Sequence, residues 1–156
     1  MQTCFINSPL GITKIVGDEN GISIISVLSE REISTTIPNE LKEAVTQLQD
    51  YFAGNRINFT FKLNPKGTNF QQKVWQELLN IPHGKTVSYL DLSQKLGDKK
   101  AIRAVASANG KNPLWIVVPC HRVIGTNGSL TGYAGGLWRK KWLLEHENPT
   151  NQQSLF

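Results

Sequence analysis

The sequence has few of the residues that build disulfide frameworks or metal sites. Its 156 residues include two cysteines, Cys4 and Cys120, and three histidines. A secreted disulfide scaffold carries more cysteines than this, and a structural zinc site of the usual type needs CxxC pairs, which are absent. Residues 1–67 contain Cys4 and no histidine, so we expect no metal site there. We expect both thiols to be reduced, as in an intracellular protein.

The sequence also lacks a long uninterrupted hydrophobic segment. No stretch reaches the roughly 20 apolar residues of a membrane span. The first residues, MQTCFINSPLG, lack the basic start and apolar run of a secretion signal. We therefore expect a cytoplasmic protein with no membrane partner. A chain of this length can bury a core in one domain or in two small ones.

Acidic residues are scarce in the second part of the chain. Residues 68–156 hold eleven Lys or Arg and five Asp or Glu, a net charge of +6. Residues 1–67 hold six Lys or Arg and seven Asp or Glu, a net charge of −1. A polyanionic partner such as nucleic acid would suit the basic part. A basic domain without such a partner has the same composition, so charge alone leaves both interpretations open.

The N-terminal part has the pattern of a small sheet covered by one helix. Residues 11–17 and 22–28 are rich in β-formers and flank the turn DENG, which predicts a hairpin. Pro38 begins an amphipathic helix that Gly54 ends. The apolar positions of that helix recur at helical spacing: Leu41, Val45, Leu48 and Phe52. Residues 57–63, INFTFKL, alternate apolar and polar side chains, which predicts a further strand.

After a linker at residues 64–68 (NPKGT) the pattern becomes helical. Thr68 can cap a first helix, Ser88 with Asp91 three residues on can cap a second, and Asp98 a third. Two short helices across a tight turn suggest a helix-turn-helix, although a plain helical hairpin has the same pattern. The predicted fold is α+β. It consists of an N-terminal α/β supporting domain over residues 1–63 and a mostly helical, winged-helix-like domain over residues 68–156.

The third of these helices, residues 101–108, is unusual in composition. Its side chains are small on almost every face of the helix, and Arg103 is its one long basic side chain. Small residues let a helix backbone approach a narrow groove. A tightly packed core helix has the same composition, so this stretch alone leaves both interpretations open.

The motif PCHRV at residues 119–123 carries the clearest chemical signal. It follows an apolar run at residues 114–118, LWIVV, which predicts a buried strand. A free thiol is only roughly 3% ionised at neutral pH, and a neighbouring His and Arg would raise that fraction. Adjacent side chains on a strand point to opposite faces. Cys120 and His121 can therefore cooperate only if the chain turns there or a water bridges them.

Residues 68–147 resemble the 6-O-alkylguanine-DNA alkyltransferases, also called methylated-DNA–protein-cysteine methyltransferases. The first 67 residues resemble that family only in general layout. The motifs that carry the resemblance are TVSY at 86–89, the helix with Arg103, Asn112-Pro113, PCHRV at 119–123, GYAGG at 132–136 and WLLEHE at 142–147.

The resemblance implies direct repair of alkylated DNA, in which each protein molecule acts once. Cys120 would be the nucleophile and permanent acceptor of the alkyl group from 6-O-alkylguanine, with 4-O-alkylthymine as a second candidate lesion. His121 would take the thiol proton through a water, and Glu147 would orient the imidazole. Asn112 would hold the active-site segment, and Tyr89 would donate a proton toward N3 of the guanine. No cofactor and no metal is expected, because the transferred group arrives on the substrate.

The implied partner is double-stranded DNA, bound by a monomer through the minor groove with the damaged nucleotide flipped out. Arg103 would fill the space that the nucleotide leaves. The residues expected to contact DNA are Ser88, Tyr89, Ala101, Ile102, Arg103 and Ala104. The residues expected to form the alkylguanine pocket are Pro119, Trp115, Val123, Tyr133, Ala134 and Gly135. The carbonyls of Cys120 and Val123 and the amide of Ala134 would read the guanine edge.

Three positions depart from the pattern that the resemblance leads us to expect. Trp115 is bulky for its place near the pocket rim, so we expect it to narrow the pocket. Ala134 stands where some members carry a serine, and Ile102 replaces a small residue on the groove-facing helix. Two groups are expected to be structural. Arg139, Lys140 and Lys141 are expected to form a solvated basic face, and Trp75, Trp138 and Trp142 to be core.

Three other functions fit the sequence less well than repair does. An alkyltransferase-like protein that binds the lesion without repairing it would lack the acceptor cysteine, which is present here as Cys120. A cysteine hydrolase would need an oxyanion hole and would leave the helix with Arg103 unexplained. A winged-helix transcription regulator would have no use for PCHRV at a strand end.

Overall fold

The computed structural model describes residues 1–125, 128, 133 and 135–149. The chain forms two compact units, Met1–Lys66 and Gly67–Phe156. The first is built on an antiparallel sheet and the second on helices, which confirms the predicted α+β class. Within the described residues, no helix is long and apolar enough to cross a membrane.

The sheet of the first unit is an antiparallel meander of β1 (Gln2–Ser8), β2 (Gly11–Asp18) and β3 (Gly21–Leu28). The β2–β3 hairpin turns where DENG predicts it, and β1 is an additional strand that we did not predict. Register places Cys4 opposite Ile15, and Ile15 opposite Ile25. All three side chains are fully buried, so they form the centre of the covered face.

A helix, α1 (Lys42–Phe52), covers this sheet after a 3-10 turn at Asn39–Leu41. The predicted helix after Pro38 is thus confirmed, with Leu41 and Leu48 fully buried. The predicted strand over residues 57–63 is wrong. Only Leu63 forms an isolated parallel bridge, with Ile22. The Gln47 side chain takes the place of a strand neighbour, because the amide of Thr60 donates to its Oε1 at 2.9 Å.

The second unit contains four helices among its described residues: α2 (Asn69–Leu78), α3 (Tyr89–Lys95), α4 (Ile102–Gly110) and α5 (Leu137–Glu147). Two short parallel strands, β4 (Val87–Ser88) and β5 (Val123–Ile124), pair beside them. The first two predicted caps form complete capping boxes, Thr68 with Gln71 and Ser88 with Asp91. The carboxylate of Asp98 accepts from the amide of Lys100 at 2.9 Å and begins the 3-10 turn that leads into α4.

Buried apolar side chains from all of these helices form the core of the second unit. Trp75 of α2 is 3% exposed, and its indole N–H donates to the carbonyl of Ala108 in α4 at 2.9 Å. The prediction that Trp138 lies in the core is wrong, because this side chain, at the start of α5, is 54% exposed. Trp142 is half-buried and stacks on the His146 ring with centroids 4.6 Å apart.

Candidate active site

The segment before Cys120 is not the strand that its apolar run predicts. The amide of Val117 donates to the carbonyl of Trp115 at 2.8 Å, around Ile116 with a φ of 75°. The amide of Cys120 donates to the carbonyl of Val118 at 2.8 Å, around Pro119. These are two three-residue turns, the first of the rare strained kind. The segment therefore loops tightly instead of running straight into Cys120.

The buried Asn112 side chain holds this loop together. Its Nδ2 donates to the carbonyl of Val118 at 2.8 Å and to that of Leu114 at 3.3 Å, and its Oδ1 accepts from the amide of Leu114 at 2.9 Å. Asn109, from α4, donates to the carbonyl of Cys120 at 3.4 Å. These side-chain amides supply partners that a neighbouring strand would otherwise have provided, so an apolar sequence can remain buried without strand pairing.

Cys120 begins a 3-10 turn, Cys120–Arg122, so the chain does turn at the point where cooperation between Cys120 and His121 requires it. The thiol is 5% exposed and lies on the wall of a cavity of about 510 Å³. The described lining residues are Tyr89, Ile102, Arg103, Ala106, Asn109, Gly110, Asn112, Trp115, Cys120 and Tyr133.

The electrostatics of the thiol favour the protonated form at rest. Burial raises the pKa of Cys120 to about 11, while the hydrogen bond from Asn112 and the charge of Lys140 act in the opposite direction. Burial also raises the pKa of Tyr133 well above its usual range, and the charges of Cys120 and Glu147 add to this. A nucleophilic Cys120 therefore needs a base that takes its proton.

His121 supplies a candidate base with one ring nitrogen occupied and the other available. The ring is fully buried, and its Nε2 lies 2.8 Å from Oε2 of Glu147. Its Nδ1 has no hydrogen-bond partner among the described residues. A buried polar atom of this kind is normally satisfied by water. The arrangement thus leaves Nδ1 as the atom that can receive a proton through a water.

Arg122 fixes the carboxylate that His121 contacts. Its Nε donates to Oε1 of Glu147 at 2.8 Å, its Nη2 to Oε2 at 3.0 Å, and its Nη1 to the carbonyl of Ile81 at 2.7 Å. Burial by itself raises the pKa of Glu147. The charge of His121 and the hydrogen bonds from His121 and Arg122 outweigh burial and hold that pKa well below its usual range. Glu147 is therefore a carboxylate at neutral pH.

Lys140 contradicts the prediction of a solvated basic face at residues 139–141. Its side chain is fully buried, and its Nζ donates to the carbonyl of Val123 at 2.6 Å. Burial lowers the pKa of Lys140 to about 8. Neighbouring Lys141 does match the prediction, since its side chain is 47% exposed.

The other residues expected at the site fall into two groups. The first group faces the cavity. It consists of Tyr89 at the start of α3, Ile102 and Arg103 of α4, Trp115 and Tyr133. The rings of Trp115 and Tyr133 lie 5.7 Å apart.

The remaining expected residues lie outside the described cavity wall. Ser88 caps α3, Ala101 ends the turn before α4, and Ala104 is exposed on α4. Pro119, Val123 and Gly135 are buried. A Cβ on Gly135 would lie 2.8 Å from atoms of both Trp115 and Tyr133, so this position favours glycine. Ala134 lies outside the described residues.

Sequence reasoning missed Arg122 and Lys140. Arg122 stood inside the recognised motif, but nothing in the sequence paired it with a carboxylate 25 positions away. Lys140 lay between two other basic residues, where exposure is the ordinary expectation. Within the described ranges, no three His, Cys, Asp or Glu side chains are grouped to hold a metal ion.

The chain matches two family models. Residues 1–65 match the 6-O-methylguanine DNA methyltransferase ribonuclease-like domain, and residues 69–149 match the DNA binding domain of the same family.

Individual relatives agree with these models. A methylated-DNA–protein-cysteine methyltransferase of Methanosarcina acetivorans is 43% identical over 153 residues, which cover 94% of this chain and 98% of the relative. One of Mycobacterium tuberculosis is 45% identical over 147 residues, covering 91% and 89%.

Solved structures of the Mycobacterium tuberculosis protein are similar as well. The crystal structure of its O6-methylguanine methyltransferase is 42% identical and has a TM-score of 0.85, covering 95% of this chain and 93% of that one. A complex of the M. tuberculosis protein with DNA is also 42% identical, has a TM-score of 0.84 and covers 97% and 92%. This chain belongs to the 6-O-methylguanine DNA methyltransferase family.

Proposed function

We propose that this protein repairs DNA by transferring the alkyl group of a 6-O-alkylguanine to the sulfur of Cys120. The observation that carries the proposal is a cavity whose wall includes Cys120, next to a buried imidazole paired with a carboxylate. The cavity volume of about 510 Å³ lies within the range of small-molecule sites, and its aromatic lining suits a planar base. Membership of the methyltransferase family supports the same chemistry.

The first step is removal of the thiol proton. The proton passes from Cys120 through a water to Nδ1 of His121, while the hydrogen on Nε2 stays on the ring and is donated to the Glu147 carboxylate. Arg122 keeps Glu147 ionised, so the carboxylate stabilises the imidazolium that forms. Burial holds the thiol protonated at rest, so formation of the thiolate depends on this proton transfer to His121.

The second step moves the alkyl group. The thiolate attacks the alkyl carbon, an S–C bond forms, and the bond between that carbon and the guanine oxygen breaks with its electrons on guanine. Tyr89, on the cavity wall, donates a proton toward N3 of the departing base. The product is a thioether that water does not cleave, so each protein molecule acts once. No cofactor takes part, because the alkyl group comes from the substrate.

DNA reaches this cavity through α4. We propose that Ala101, at the end of the turn before α4, docks in the minor groove together with Ile102 and Ala104 of α4. Arg103 enters the base stack as the damaged nucleotide flips out. A monomer bound to double-stranded DNA suffices for this. Residues 1–63 support the domain of residues 68–156, which carries the chemistry.

The test is transfer of label from duplex DNA that carries labelled 6-O-methylguanine. We expect one label per protein molecule, attached to the peptide with Cys120. Cys120→Ala should abolish transfer but still bind the duplex, whereas Cys4→Ala, which removes the other thiol, should transfer normally. Label released repeatedly as free product would mean turnover, as in a hydrolase, and would overturn the proposal. DNA binding without any transfer by the wild type would also overturn it.

A further inference from the structure

Lys140 is a fully buried lysine that the proposed reaction leaves without a role. Its ammonium group lies 2.6 Å from the carbonyl of Val123 and 5.9 Å from the centre of the Tyr89 ring. An ammonium group loses its hydration in such a place, and lysine is rarely fully buried for that reason. An apolar side chain of similar length would fill the same volume without this cost.

The position of Lys140 on α5 relates it to the active-site turn. Lys140 and Glu147 are seven residues apart and both buried, so they lie on the same face of the helix, two turns from each other. Glu147 contacts His121 and Arg122, whereas Lys140 contacts Val123. The helix therefore presents an anion to one part of the 120–123 segment and a cation to another.

Lys140 lies on α5, which packs against the turn Cys120–Arg122, and its charge favours ionisation of the Cys120 thiol. The cation lowers the pKa of the Cys120 thiol, and an ionised thiol raises the pKa of Lys140. The other titratable groups around the thiol are Tyr133, whose pKa burial raises and the thiolate charge raises further, and the adjoining His121. Neither is a permanent cation, since Tyr133 is neutral and His121 becomes charged only on accepting the proton.

We propose that Lys140 is an electrostatic positioning residue whose ammonium group stabilises the Cys120 thiolate and fixes the Val123 carbonyl. When the thiol proton moves to His121, Lys140 keeps its own proton, so an ammonium group and an imidazolium together stabilise the thiolate. The contribution of Lys140 to alkyl transfer rests on the proposed function. Its effect on thiol ionisation does not.

The experiment compares Lys140→Met with Lys141→Met, which removes an adjacent charge whose side chain is 47% exposed. The ionised fraction of Cys120 is compared at pH 7, where Lys140, with a pKa of about 8, still carries its proton. It is followed as the rate at which iodoacetamide alkylates Cys120, and each rate is corrected with the same protein carrying Cys120→Ser. We expect Lys140→Met to slow this alkylation about 3- to 10-fold, because losing a nearby opposite charge lowers the ionised fraction of the thiol more than it raises the nucleophilicity of the thiolate. Lys141→Met should leave the rate unchanged, and Lys140→Arg should restore most of it. A rate in Lys140→Met equal to that of the wild type would overturn the proposal.

A second measurement avoids the risk that Lys140→Met does not fold. Lys140 loses its proton near pH 8, so its stabilisation of the Cys120 thiolate should weaken there in the wild type itself. The rate at which iodoacetamide alkylates Cys120 should therefore rise less steeply with pH between pH 8 and pH 9 than it does below pH 7. An equally steep rise throughout would overturn the proposal. If the wild type transfers no alkyl group, the proposed function fails while these alkylation rates still decide the role of Lys140. If it does transfer, Lys140→Met should slow transfer at least about tenfold at neutral pH.

Discussion

At the scale of single residues, the site depends on a strained backbone that one side chain stabilises. Ile116 has a φ of 75°, a conformation that costs a β-branched residue about 1–3 kcal/mol. Asn112 makes three hydrogen bonds across the loop that contains it. A buried hydrogen bond contributes about 1 kcal/mol. The three hydrogen bonds of Asn112 are therefore comparable in energy to the strain at Ile116 and can offset it. Cys120, the proposed nucleophile, therefore follows a loop that Asn112 braces with hydrogen bonds.

Trp115 is predicted to select against large alkyl groups. Its ring lines the cavity beside Tyr133, and both rings pack closely against the backbone of Gly135. Trp115→Ala should therefore raise the rate of benzyl transfer relative to methyl transfer, as measured on matched duplexes. Trp138→Ala is the control, because that ring is 54% exposed and outside the cavity wall. An unchanged rate ratio in Trp115→Ala would remove the role assigned to this side chain.

At the scale of elements, the start of α3 links a local sequence signal to the cavity. Ser88 accepts from the amide of Asp91 at 3.0 Å, and Tyr89 is the next residue, the first of the helix. The cap therefore determines where the helix begins and where the Tyr89 ring enters the cavity wall. A defect in the cap should affect both the stability of the helix and the chemistry.

We predict that Ser88→Ala lowers the free energy of unfolding of the second unit by about 1 kcal/mol, the usual effect of losing an N-cap. Urea unfolding followed by tryptophan fluorescence measures this, because all four tryptophans lie in that unit. Alkyl transfer should slow in the same variant. Ser107→Ala, at an exposed helical position of α4, should be neutral or slightly stabilising. Equal losses in the two variants would contradict a capping role.

At the scale of the whole molecule, buried charges make stability depend on pH. Glu147 has a pKa well below its usual range when folded and an ordinary one, near 4.5, when unfolded. Its stabilising contribution is therefore fully present above the unfolded value and is lost as pH falls toward the folded value. The unfolded chain takes up a proton there that the folded chain does not.

The predicted result is a fall in the free energy of unfolding of about 1.4 kcal/mol per pH unit below pH 4, on account of this one group. Glu147→Gln should be less stable at neutral pH, because it leaves the Arg122 charge buried without its carboxylate. The difference in the free energy of unfolding between this variant and the wild type should shrink as the pH falls. Urea unfolding between pH 6 and pH 3 measures this. Glu145→Gln on the same helix is the control, and a deficit for Glu147→Gln that stays constant with pH would contradict the argument.

Sequence patterns predicted the features that depend on near neighbours. The hairpin at DENG, the helix after Pro38 and the caps at Thr68 and Ser88 follow from residues at most a few positions apart, so these local hydrogen bonds and turns could be inferred. The motif around Cys120 likewise needed only adjacent residues to indicate a reactive thiol. The roles assigned to the individual site residues remain predictions.

Tertiary structure alone decided which side chains are buried and which distant groups meet. The apolar runs at 57–63 and 114–118 are not strands, because the side chains of Gln47 and Asn112 provide backbone partners that no periodicity reveals. Arg122 reaches Glu147, and Lys140 is enclosed, because α5 packs against the turn at 120–122. Local propensity acts through the backbone of a few residues, whereas burial and ion pairing depend on how separate elements pack, and that information is spread over the whole unit.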